Sequence, residues 1–438
     1  MTTTISVNDV IDRRPIGLFQ WSVFVLCGLA VFVDGFDTQA IGYVAPVLGK
    51  AWNLKPGALG PVFAAGLAGL ALGAFFIAPL ADRFGRKPII IWSIVAFGIL
   101  TLLTGFATDF TTLFVARLLT GLGLGAAMPN AITLTAEYSP QRWRATAVAL
   151  LMCGFGLGAA SGGAVAARLL VTSGWPTVFF TGGAATLVLV PFLIFLLPES
   201  VRFLTLLPGG EAKLARLMAR IDPAIAPSAR AHFTATREQA AAIHVRELFT
   251  DGRARTTILL WIIFFMNLLD LYLLASWLPT AIHSAGLSVS VAALATATLQ
   301  IGGIIASFAL GPLVDRFGAT RVLPAIYVLG AVCIALIGFA GTSVTFTVAA
   351  VFGAGFAVVG AQNCNNGVAT KSYPTEMRAI GVGWTNAVGR IGSIVGPTVA
   401  GIMLGLHTEI RNILIASAIP ALIAGTAYLA MRTDKSAT

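Results

Sequence analysis

Charged residues are scarce in this chain. Asp, Glu, Lys and Arg make up only 11% of its 438 residues, whereas roughly 25% is usual for a soluble domain. Hydrophobic residues make up 57% of the chain, and its mean hydropathy is +0.88. A protein in water needs enough polar side chains to cover its surface. The composition therefore excludes a soluble globular protein and predicts one that lies in a membrane.

Cysteine and histidine are also rare, with four residues of each. The cysteines show no Cys-x-x-Cys spacing and fall inside apolar stretches, at Cys27, Cys153, Cys333 and Cys364. This favours buried small side chains over a disulfide framework or a metal site. No grouping of His, Cys and Glu supplies a nucleophile, a metal cluster or a redox centre. We therefore predict that the chain is not an enzyme and needs no cofactor.

Twelve apolar runs are each long enough to cross a bilayer, which takes about 20 residues. In lipid every backbone polar group has to be bonded within the protein, so runs of this length are expected to be helices. The 47 glycines suit helices that pack closely through small side chains. We therefore predict an all-α polytopic membrane protein. The runs cover residues 21–47, 57–81, 88–107, 110–132, 145–168, 175–197, 256–279, 289–314, 322–341, 344–367, 380–405 and 411–431.

Basic residues are distributed unevenly along this pattern. When both termini are placed in the cytoplasm, the cytoplasmic segments hold 22 of the 28 Lys and Arg residues, and two others, Arg117 and Arg390, lie within helices. This asymmetry follows the positive-inside rule. It predicts a multi-pass protein of the cell inner membrane with both termini cytoplasmic and an uncleaved first span. The net charge of +10 thus reflects topology and not a nucleic-acid partner.

The two halves of the chain repeat each other in register, which indicates a duplication. Asp82-Arg83-Phe84-Gly85, after the second run, recurs after the eighth run as Asp315-Arg316-Phe317-Gly318. Pro140, Arg144, Gly158 and Gly162 recur at nearly the same separation as Pro374, Arg378, Gly392 and Gly396. We predict a six-helix bundle at residues 1–198, a cytoplasmic linker with short amphipathic helices such as Glu211–Ile221 at 199–255, and a second six-helix bundle at 256–438.

Several motifs resemble those of major facilitator transporters, which are built from parallel six-helix repeats. Residues 78–87, Ala-Pro-Leu-Ala-Asp-Arg-Phe-Gly-Arg-Lys, are similar to the loop motif of that superfamily, although Ala78 stands where Gly is usual. Residues 117–123 of the fourth run, Arg-Leu-Leu-Thr-Gly-Leu-Gly, resemble the motif that the superfamily has in its fourth helix. More narrowly, Asp34-Gly35-Phe36-Asp37-Thr38, residues 120–130 and residues 198–203 resemble the aromatic acid/proton symporter family. The resemblance implies transport of 4-hydroxybenzoate, protocatechuate or benzoate together with protons.

Five ionisable residues fall near the middle of the predicted spans. At ~1.5 Å per residue, Asp34, Asp37 and Arg117 lie roughly 20 to 24 Å from the inner face, and Asp270 and Arg390 about 15 to 18 Å from it. Charges in hydrocarbon have to pair with one another or face water. We therefore expect these residues to share one polar cavity between the two halves.

The two arginines have different expected roles. Arg390 is the candidate for the substrate carboxylate, because a guanidinium stays charged and can hold a carboxylate through two parallel bonds. Its alternative is an ion pair with Asp270 that joins two helices. For Arg117 the favoured interpretation is an ion pair with Asp34 or Asp37, and substrate contact is the alternative.

Asp34 and Asp37 are the candidates for proton coupling. Two carboxylates three residues apart on one helix can share a face and interact, so that a proton taken up by one affects the other. The alternative is that both are merely paired with arginines. The sequence does not decide which of the two carries the proton.

Two further groups of residues complete the expected machinery. Polar and aromatic side chains, together with Arg390, Arg117 and Asp270, are expected to line the cavity and to contact the substrate. Charged residues at the cytoplasmic edge are expected to form networks that hold the outward-facing state. The additional cavity candidates are Gln39, Gln300, Asn386, Tyr272 and Trp384. The gating candidates are Asp82, Arg83, Gly85, Arg86, Glu137, Arg144, Asp315, Arg316 and Arg378.

The sequence as a whole predicts a monomeric importer of small aromatic carboxylates that works by proton symport and alternating access. A sugar or polyol carrier, another organic-anion carrier and a drug/proton antiporter are the rivals within transport. A transporter-like membrane sensor is the rival from another class, although the 199–255 linker is short for a signalling domain. The sequence does not name the aromatic acid or the number of protons.

Overall fold

The structure is a computed structural model that describes residues 4–223, 232–234 and 245–431. Twelve helices in these ranges are long and apolar enough to cross a membrane, which confirms the predicted fold class. We number them as spans 1 to 12. They are Leu18–Ala51, Gly60–Phe84, Arg86–Thr104, Phe110–Glu137, Arg144–Thr172, Pro176–Leu196, Ala254–Ser284, Val289–Phe317, Ala319–Gly338, Val344–Ser372, Arg378–Gly405 and Ile410–Ala430.

Spans 2 and 12 are not continuous α-helices. Span 2 is α-helical over Gly60–Leu72, passes through a π-helical turn and a 3-10 turn at Gly73–Ile77 and Ala78–Leu80, and ends in the short helix Ala81–Phe84. Span 12 consists of two helices, Ile410–Ala416 and Ala418–Ala430, with a break at Ser417. Where a helix is broken and restarts, the first backbone amides of the new segment have no hydrogen-bond partner within their own helix.

Short elements lie outside the spans. Helices form at Val7–Arg13, Val201–Leu206 and Glu211–Ile221, and a 3-10 turn forms at Val245–Phe249. The helix expected at Glu211–Ile221 is therefore present. The strands Thr4–Ser6 and His232–Thr234 pair in parallel. Residues 224–231 and 235–244 of the predicted linker lie outside the described part of the chain.

Among the described residues, the apolar core that the two bundles share lies toward one side of the membrane. Because successive spans cross in alternate directions, span 1 begins and span 12 ends at the same face, which we call the terminal face. Near the opposite face one apolar core contains residues of both halves, and the rings of Phe63 and Trp277 meet edge-on at 5.0 Å. Two other large cores each belong to one half, within residues 7–218 and 248–428. The halves are therefore closed near the opposite face and separate near the terminal face.

Close helix contacts recur at matching positions of the two halves. A side chain at Gly158 would overlap the carbonyl oxygen of Phe32, and one at Gly392 would overlap that of Phe265. Phe32 and Phe265 have the same separation in sequence as Asp82 and Asp315 of the repeated loop motif. Spans 1 and 5 thus pack as spans 7 and 11 do, through small residues that let two backbones approach.

Candidate functional site

A cavity of about 40 Å³ lies between the two halves. Spans 1, 2 and 4 of the first half and span 7 of the second half supply its walls. The polar and charged members of the lining come mainly from spans 1 and 4, and Tyr272 and Ser276 come from span 7. Its polar lining residues are Asp37, Thr38, Gln39, Arg117, Thr120, Tyr272 and Ser276.

An ion pair between Asp37 and Arg117 forms one wall of this cavity. Two guanidinium nitrogens of Arg117 donate to the two oxygens of Asp37, both at 3.3 Å. Both residues are almost fully buried, at 1% and 3% exposure. The geometry is the paired arrangement that arginine and carboxylate favour. The predicted ion pair between spans 1 and 4 is therefore present, and it uses Asp37 and not Asp34.

Span 3 also contributes to this pair, which the sequence did not reveal. The hydroxyl of Thr101 donates to Asp37 Oδ1 at 2.6 Å, and Arg117 donates to the hydroxyl of Thr104 at 3.4 Å. The guanidinium of Arg117 also lies 5.1 Å from the ring centre of Phe179 on span 6. A threonine in an apolar run carries no signal of its own, so only the packing of span 3 against span 4 identifies it.

Asp34 is buried but lacks a full set of partners. The hydroxyl of Thr38 donates to Asp34 Oδ1 at 3.1 Å, whereas Oδ2 has no hydrogen-bond partner. The charge of Arg390 on span 11 acts on this carboxyl from the other half. Asp34 thus lies one helical turn from Asp37, but it lacks the ion pair that Asp37 makes with Arg117.

Arg390 is half-buried and pairs with no carboxylate among the described residues. One guanidinium nitrogen donates to the hydroxyl of Tyr272 at 3.4 Å. Tyr272 itself lines the cavity. The alternative ion pair of Arg390 with Asp270 is not formed. An arginine that has only a neutral partner keeps its capacity to bind an anion.

Asp270 does not lie where the sequence analysis placed it. It is fully buried, does not line the cavity, and faces the backbone of Ala421 on span 12. Of the five ionisable residues expected to share one cavity, Asp37 and Arg117 line it, whereas Asp34, Asp270 and Arg390 do not, so the expectation of one shared cavity is wrong. Hydrophobic periodicity gave its depth, but a span that is apolar all round does not show which side of the helix faces the cavity.

The remaining cavity candidates differ in their surroundings. Gln39 lines the cavity and Gln300 is buried. The side-chain amide of Asn386 donates to the carbonyl of Val382 on its own helix at 3.0 Å. Trp384 is 43% exposed and stacks on Trp261 with ring centres 6.2 Å apart. Their contact with substrate stays a prediction.

The gating candidates of the first half form a network centred on Arg86. This guanidinium makes an ion pair with Glu137 and donates to the hydroxyl of Ser200 at 2.9 Å. The carboxylate of Glu199 accepts from the backbone amides of Arg86 and Lys87, at 2.8 and 3.1 Å. Glu199 therefore caps the start of span 3, because Gly85 has no side chain and leaves room for the glutamate.

The other gating candidates also make their contacts within one half. Asp315 pairs with Lys371 at 3.1 Å, and Arg144 donates to the carbonyl of Ala136 at 3.2 Å. Arg83 and Arg316 each lie over the ring of the phenylalanine that follows them. Asp82 and Arg378 are exposed. These contacts suit halves that are apart at the terminal face, and the gating role stays a prediction.

Comparison with known proteins identifies the family to which this architecture belongs. The family model for the Major Facilitator Superfamily matches residues 27–259 and 260–438. The chain belongs to this superfamily.

Two relatives of this chain are named as transporters of aromatic acids. The chain is 40% identical to a gallate transporter of Pseudomonas putida, over 97% of this chain and 95% of the relative. It is 38% identical to the 4-hydroxybenzoate transporter PcaK of Pseudomonas aeruginosa, again over 97% and 95%. The resemblance to the aromatic acid transporter family is confirmed, and the chain is a multi-pass membrane transporter and not an enzyme.

A solved structure shows the same Major Facilitator fold. The bacterial homolog of the human lysosomal transporter Spinster, in an inward-facing and occupied conformation, matches with a TM-score of 0.74. The match covers 94% of this chain and 97% of that one at 19% identity. At this identity the comparison establishes the fold alone.

Proposed function

We propose that this chain imports small aromatic carboxylates of the hydroxybenzoate, protocatechuate, benzoate or gallate type by proton symport. The observation that carries the proposal is the arrangement of Arg390 and Asp34. The second half supplies a guanidinium that has no carboxylate partner among the described residues, and the first half supplies a buried carboxyl with one oxygen unbonded. The names of the relatives supply the aromatic class.

Arg390 holds the substrate carboxylate in this proposal. The planar guanidinium can donate two parallel hydrogen bonds to a carboxylate, and each charge-assisted bond is stronger than a neutral one. Tyr272 already lies against the guanidinium, so it can orient the bound anion or contact its ring. Arg117 is not available for this task without loss of its pair with Asp37.

Asp34 couples the proton to the substrate. While Arg390 is free, its positive charge stabilises a negative charge on Asp34. A bound substrate anion neutralises that guanidinium, so Asp34 then holds a proton more readily. Binding of the anion and binding of the proton thus support each other, and Asp37 stays charged beside Arg117.

The sidedness of transport follows from the distribution of basic residues. We place the terminal face in the cytoplasm of the cell inner membrane, because the segments at that face hold most of the Lys and Arg residues. The separation of the halves at the terminal face then corresponds to the inward-open state of an alternating-access cycle. Both halves of the internal repeat that enclose the cavity are present in one chain, so we propose a functional monomer with the proton as its coupling ion.

Uptake by proteoliposomes tests the proposal. Purified protein is reconstituted with an imposed pH gradient, acid outside, and supplied with radiolabelled 4-hydroxybenzoate. We expect uptake above the external concentration, and we expect a protonophore to abolish this accumulation. Unlabelled gallate, protocatechuate, benzoate and xylose are then compared as competitors. Accumulation that survives the protonophore would refute proton symport, and competition by xylose alone would refute the aromatic substrate class.

A further inference from the structure

The second half contains a buried acid that the proposed cycle does not use. Asp270 on span 7 is fully buried, and neither of its carboxyl oxygens has a hydrogen-bond partner. No Lys, Arg or His of the described residues forms an ion pair with it. A charged carboxylate without a counterion is costly at this depth of a membrane, whereas a neutral carboxylic acid is tolerated.

The internal repeat relates Asp270 to Asp37. The contact of Gly158 with Phe32 matches that of Gly392 with Phe265, which aligns span 1 with span 7. Asp37 follows Phe32 by the same step with which Asp270 follows Phe265, so Asp270 is the counterpart of Asp37. The duplication has therefore retained an acid at the same place in each half.

The same comparison shows that the counterion is missing from the second half. A side chain at Gly69 would overlap the carbonyl of Leu118, and one at Gly302 would overlap that of Phe352, which aligns span 4 with span 10. Arg117 directly precedes Leu118, so its counterpart is Val351, which is fully buried. Asp37 is therefore paired with an arginine, whereas Asp270 has no arginine at the corresponding position of the second half.

The surroundings of Asp270 can nevertheless hold a negative charge for part of a cycle. The break at Ser417 starts a new helix at Ala418, and the first turn of this helix, with Ala421, lies near the carboxyl of Asp270 without a hydrogen bond to it. The positive end of a helix dipole inside a membrane stabilises an anion. Both the neutral and the charged form of Asp270 thus have a source of stabilisation.

Other titratable groups around Asp270 are neutral at ordinary pH or face elsewhere. Tyr327 of span 9 faces it, and this hydroxyl belongs to a network with Asn365 and Tyr428 at 2.9 and 2.7 Å. Cys364 of span 10 lies near Tyr327. Spans 1, 8 and 11 also contact span 7. None of their charged side chains forms an ion pair or a hydrogen bond with Asp270; these are Asp34, Asp37, Lys50, Asp315, Arg316, Arg378 and Arg390.

Two polar side chains near Asp270 in sequence or space lead toward a less buried region, although neither is hydrogen-bonded to Asp270. Asn267, the counterpart of Asp34, lies one helical turn before Asp270 and is fully buried. Its amide donates to Gln362 at 2.7 Å, and Gln362 is only partly buried. When the halves rearrange, water that enters beside these polar side chains can exchange a proton with Asp270.

We propose that Asp270 is a second proton-binding site, which takes up a proton from outside in the outward-open conformation, still holds it in the conformation described here, and releases it to the cytoplasm before the protein returns to the outward-open conformation. This inference rests on the proposed symport. One proton with a monoanion moves no net charge, whereas two protons with a monoanion move one positive charge inward. The membrane potential then drives uptake in addition to the pH gradient.

Electrical measurements on proteoliposomes test this site. We expect 4-hydroxybenzoate to evoke an inward positive current in the unaltered protein, and an inside-negative potassium diffusion potential to increase uptake at equal pH. In Asp270→Asn, which keeps the size of the side chain, we expect the current to fall at least tenfold while uptake driven by a pH gradient persists. Asp270→Glu is expected to restore part of the current. Asp251→Asn removes an exposed linker carboxylate and serves as the control.

The outcomes separate this inference from the proposed function. A current in Asp270→Asn equal to that of the unaltered protein would mean that Asp270 is only a neutral structural acid, and would overturn the inference. Electroneutral uptake by the unaltered protein would overturn it too, without the use of any variant and with symport left intact. Absence of all uptake driven by the pH gradient would instead refute the proposed function, and this inference with it.

Discussion

Arg117 holds the carboxylate of Asp37 through two hydrogen bonds of 3.3 Å in a site that excludes water almost completely. The pair joins spans 1 and 4, and Thr101 ties span 3 to the same carboxylate. Removal of both charges from water is costly, and only their mutual attraction and the added hydrogen bond offset this cost. The pair is therefore a fixed point of the first half, beside which Asp34 can change its protonation state.

Breaking this pair on one side is expected to destabilise the protein strongly. Asp37→Asn leaves the Arg117 guanidinium buried without a counterion. Arg117→Met leaves the Asp37 carboxylate buried without a counterion. Loss of one partner of a buried pair costs about 3–5 kcal/mol. We expect each variant to unfold at a markedly lower temperature in detergent, as measured by thermal denaturation. The double variant is expected to recover part of this loss, because no charge is left unpaired.

An exposed ion pair provides the control for that experiment. Arg253 contacts Asp251, which is 74% exposed, at 2.5 Å. Pairs with one highly exposed partner contribute about 0–1 kcal/mol, so Asp251→Asn should leave the unfolding temperature nearly unchanged. A double variant of Asp37 and Arg117 that is no more stable than the single variants would contradict the pairing described here.

Thr101→Val tests the contribution of span 3. The valine keeps the shape of the side chain but cannot donate to Asp37, and a hydrogen bond to a charged group contributes about 1.5–3 kcal/mol. Thr104→Val is the matched control. Its hydroxyl mainly donates to the carbonyl of Leu100 at 2.8 Å and lies 3.4 Å from Arg117, so its loss should cost less. Equal losses of unfolding free energy in the two variants would count against this prediction.

Substrate affinity is expected to depend on the shape of the side chain at position 390 as well as on its charge. Arg390→Lys keeps the positive charge but loses the planar fork that matches a carboxylate. Loss of one charge-assisted hydrogen bond, about 1.5–3 kcal/mol, weakens binding by roughly 10- to 150-fold. Calorimetric titration with 4-hydroxybenzoate measures this. Arg411→Lys, where the arginine lies over the ring of Phe339, is the control, and unchanged affinity in Arg390→Lys would remove Arg390 from the substrate site.

Asp34→Asn separates proton coupling from substrate movement. An amide cannot release a proton, so we expect the variant to lose accumulation driven by a pH gradient and to equilibrate substrate only to the external concentration. Exchange of labelled for unlabelled substrate needs no net proton movement and should continue. Both are measured in the same proteoliposomes, with Asp251→Asn as the control. Normal accumulation of substrate by Asp34→Asn would show that Asp34 does not couple the proton to transport.

The sequence predicted the features that depend on composition and period. Long apolar runs gave the twelve spans, and the recurrence of Asp82-Arg83-Phe84-Gly85 gave the repeat that the contacts of Gly158 and Gly392 reproduce. The depth of each charged residue followed from the helical rise, which placed Asp37 level with Arg117.

The direction in which each side chain points was not predictable from these signals. A helix that is apolar on every side does not show which side faces a cavity, and Asp270 was misplaced for this reason. Contacts between separate helices were likewise hidden. Thr101 has no local feature that points to Asp37, and Glu199 caps span 3 only because the chain returns to it after span 6.

The two copies of the Asp-Arg-Phe-Gly motif allow the role of Glu199 to be isolated. Gly85 and Gly318 both have backbone angles that favour glycine, with φ of 97° and 85°. Alanine at either position is strained by about 1–3 kcal/mol. A side chain at Gly85 would in addition overlap the Glu199 carboxylate, whereas at Gly318 no other atom lies within 4 Å.

Gly85→Ala is therefore expected to be more harmful than Gly318→Ala. Displacement of Glu199 removes its hydrogen bonds to the amides of Arg86 and Lys87, each worth about 1.5–3 kcal/mol when the acceptor is charged. We expect a larger loss of thermal stability in Gly85→Ala and slower uptake with little change in substrate affinity, because the cavity is not touched. Glu199→Gln should reproduce part of the effect without backbone strain. Equal stability of the two alanine variants would mean that strain alone matters at these turns and that Glu199 does not hold the terminal-face end of span 3.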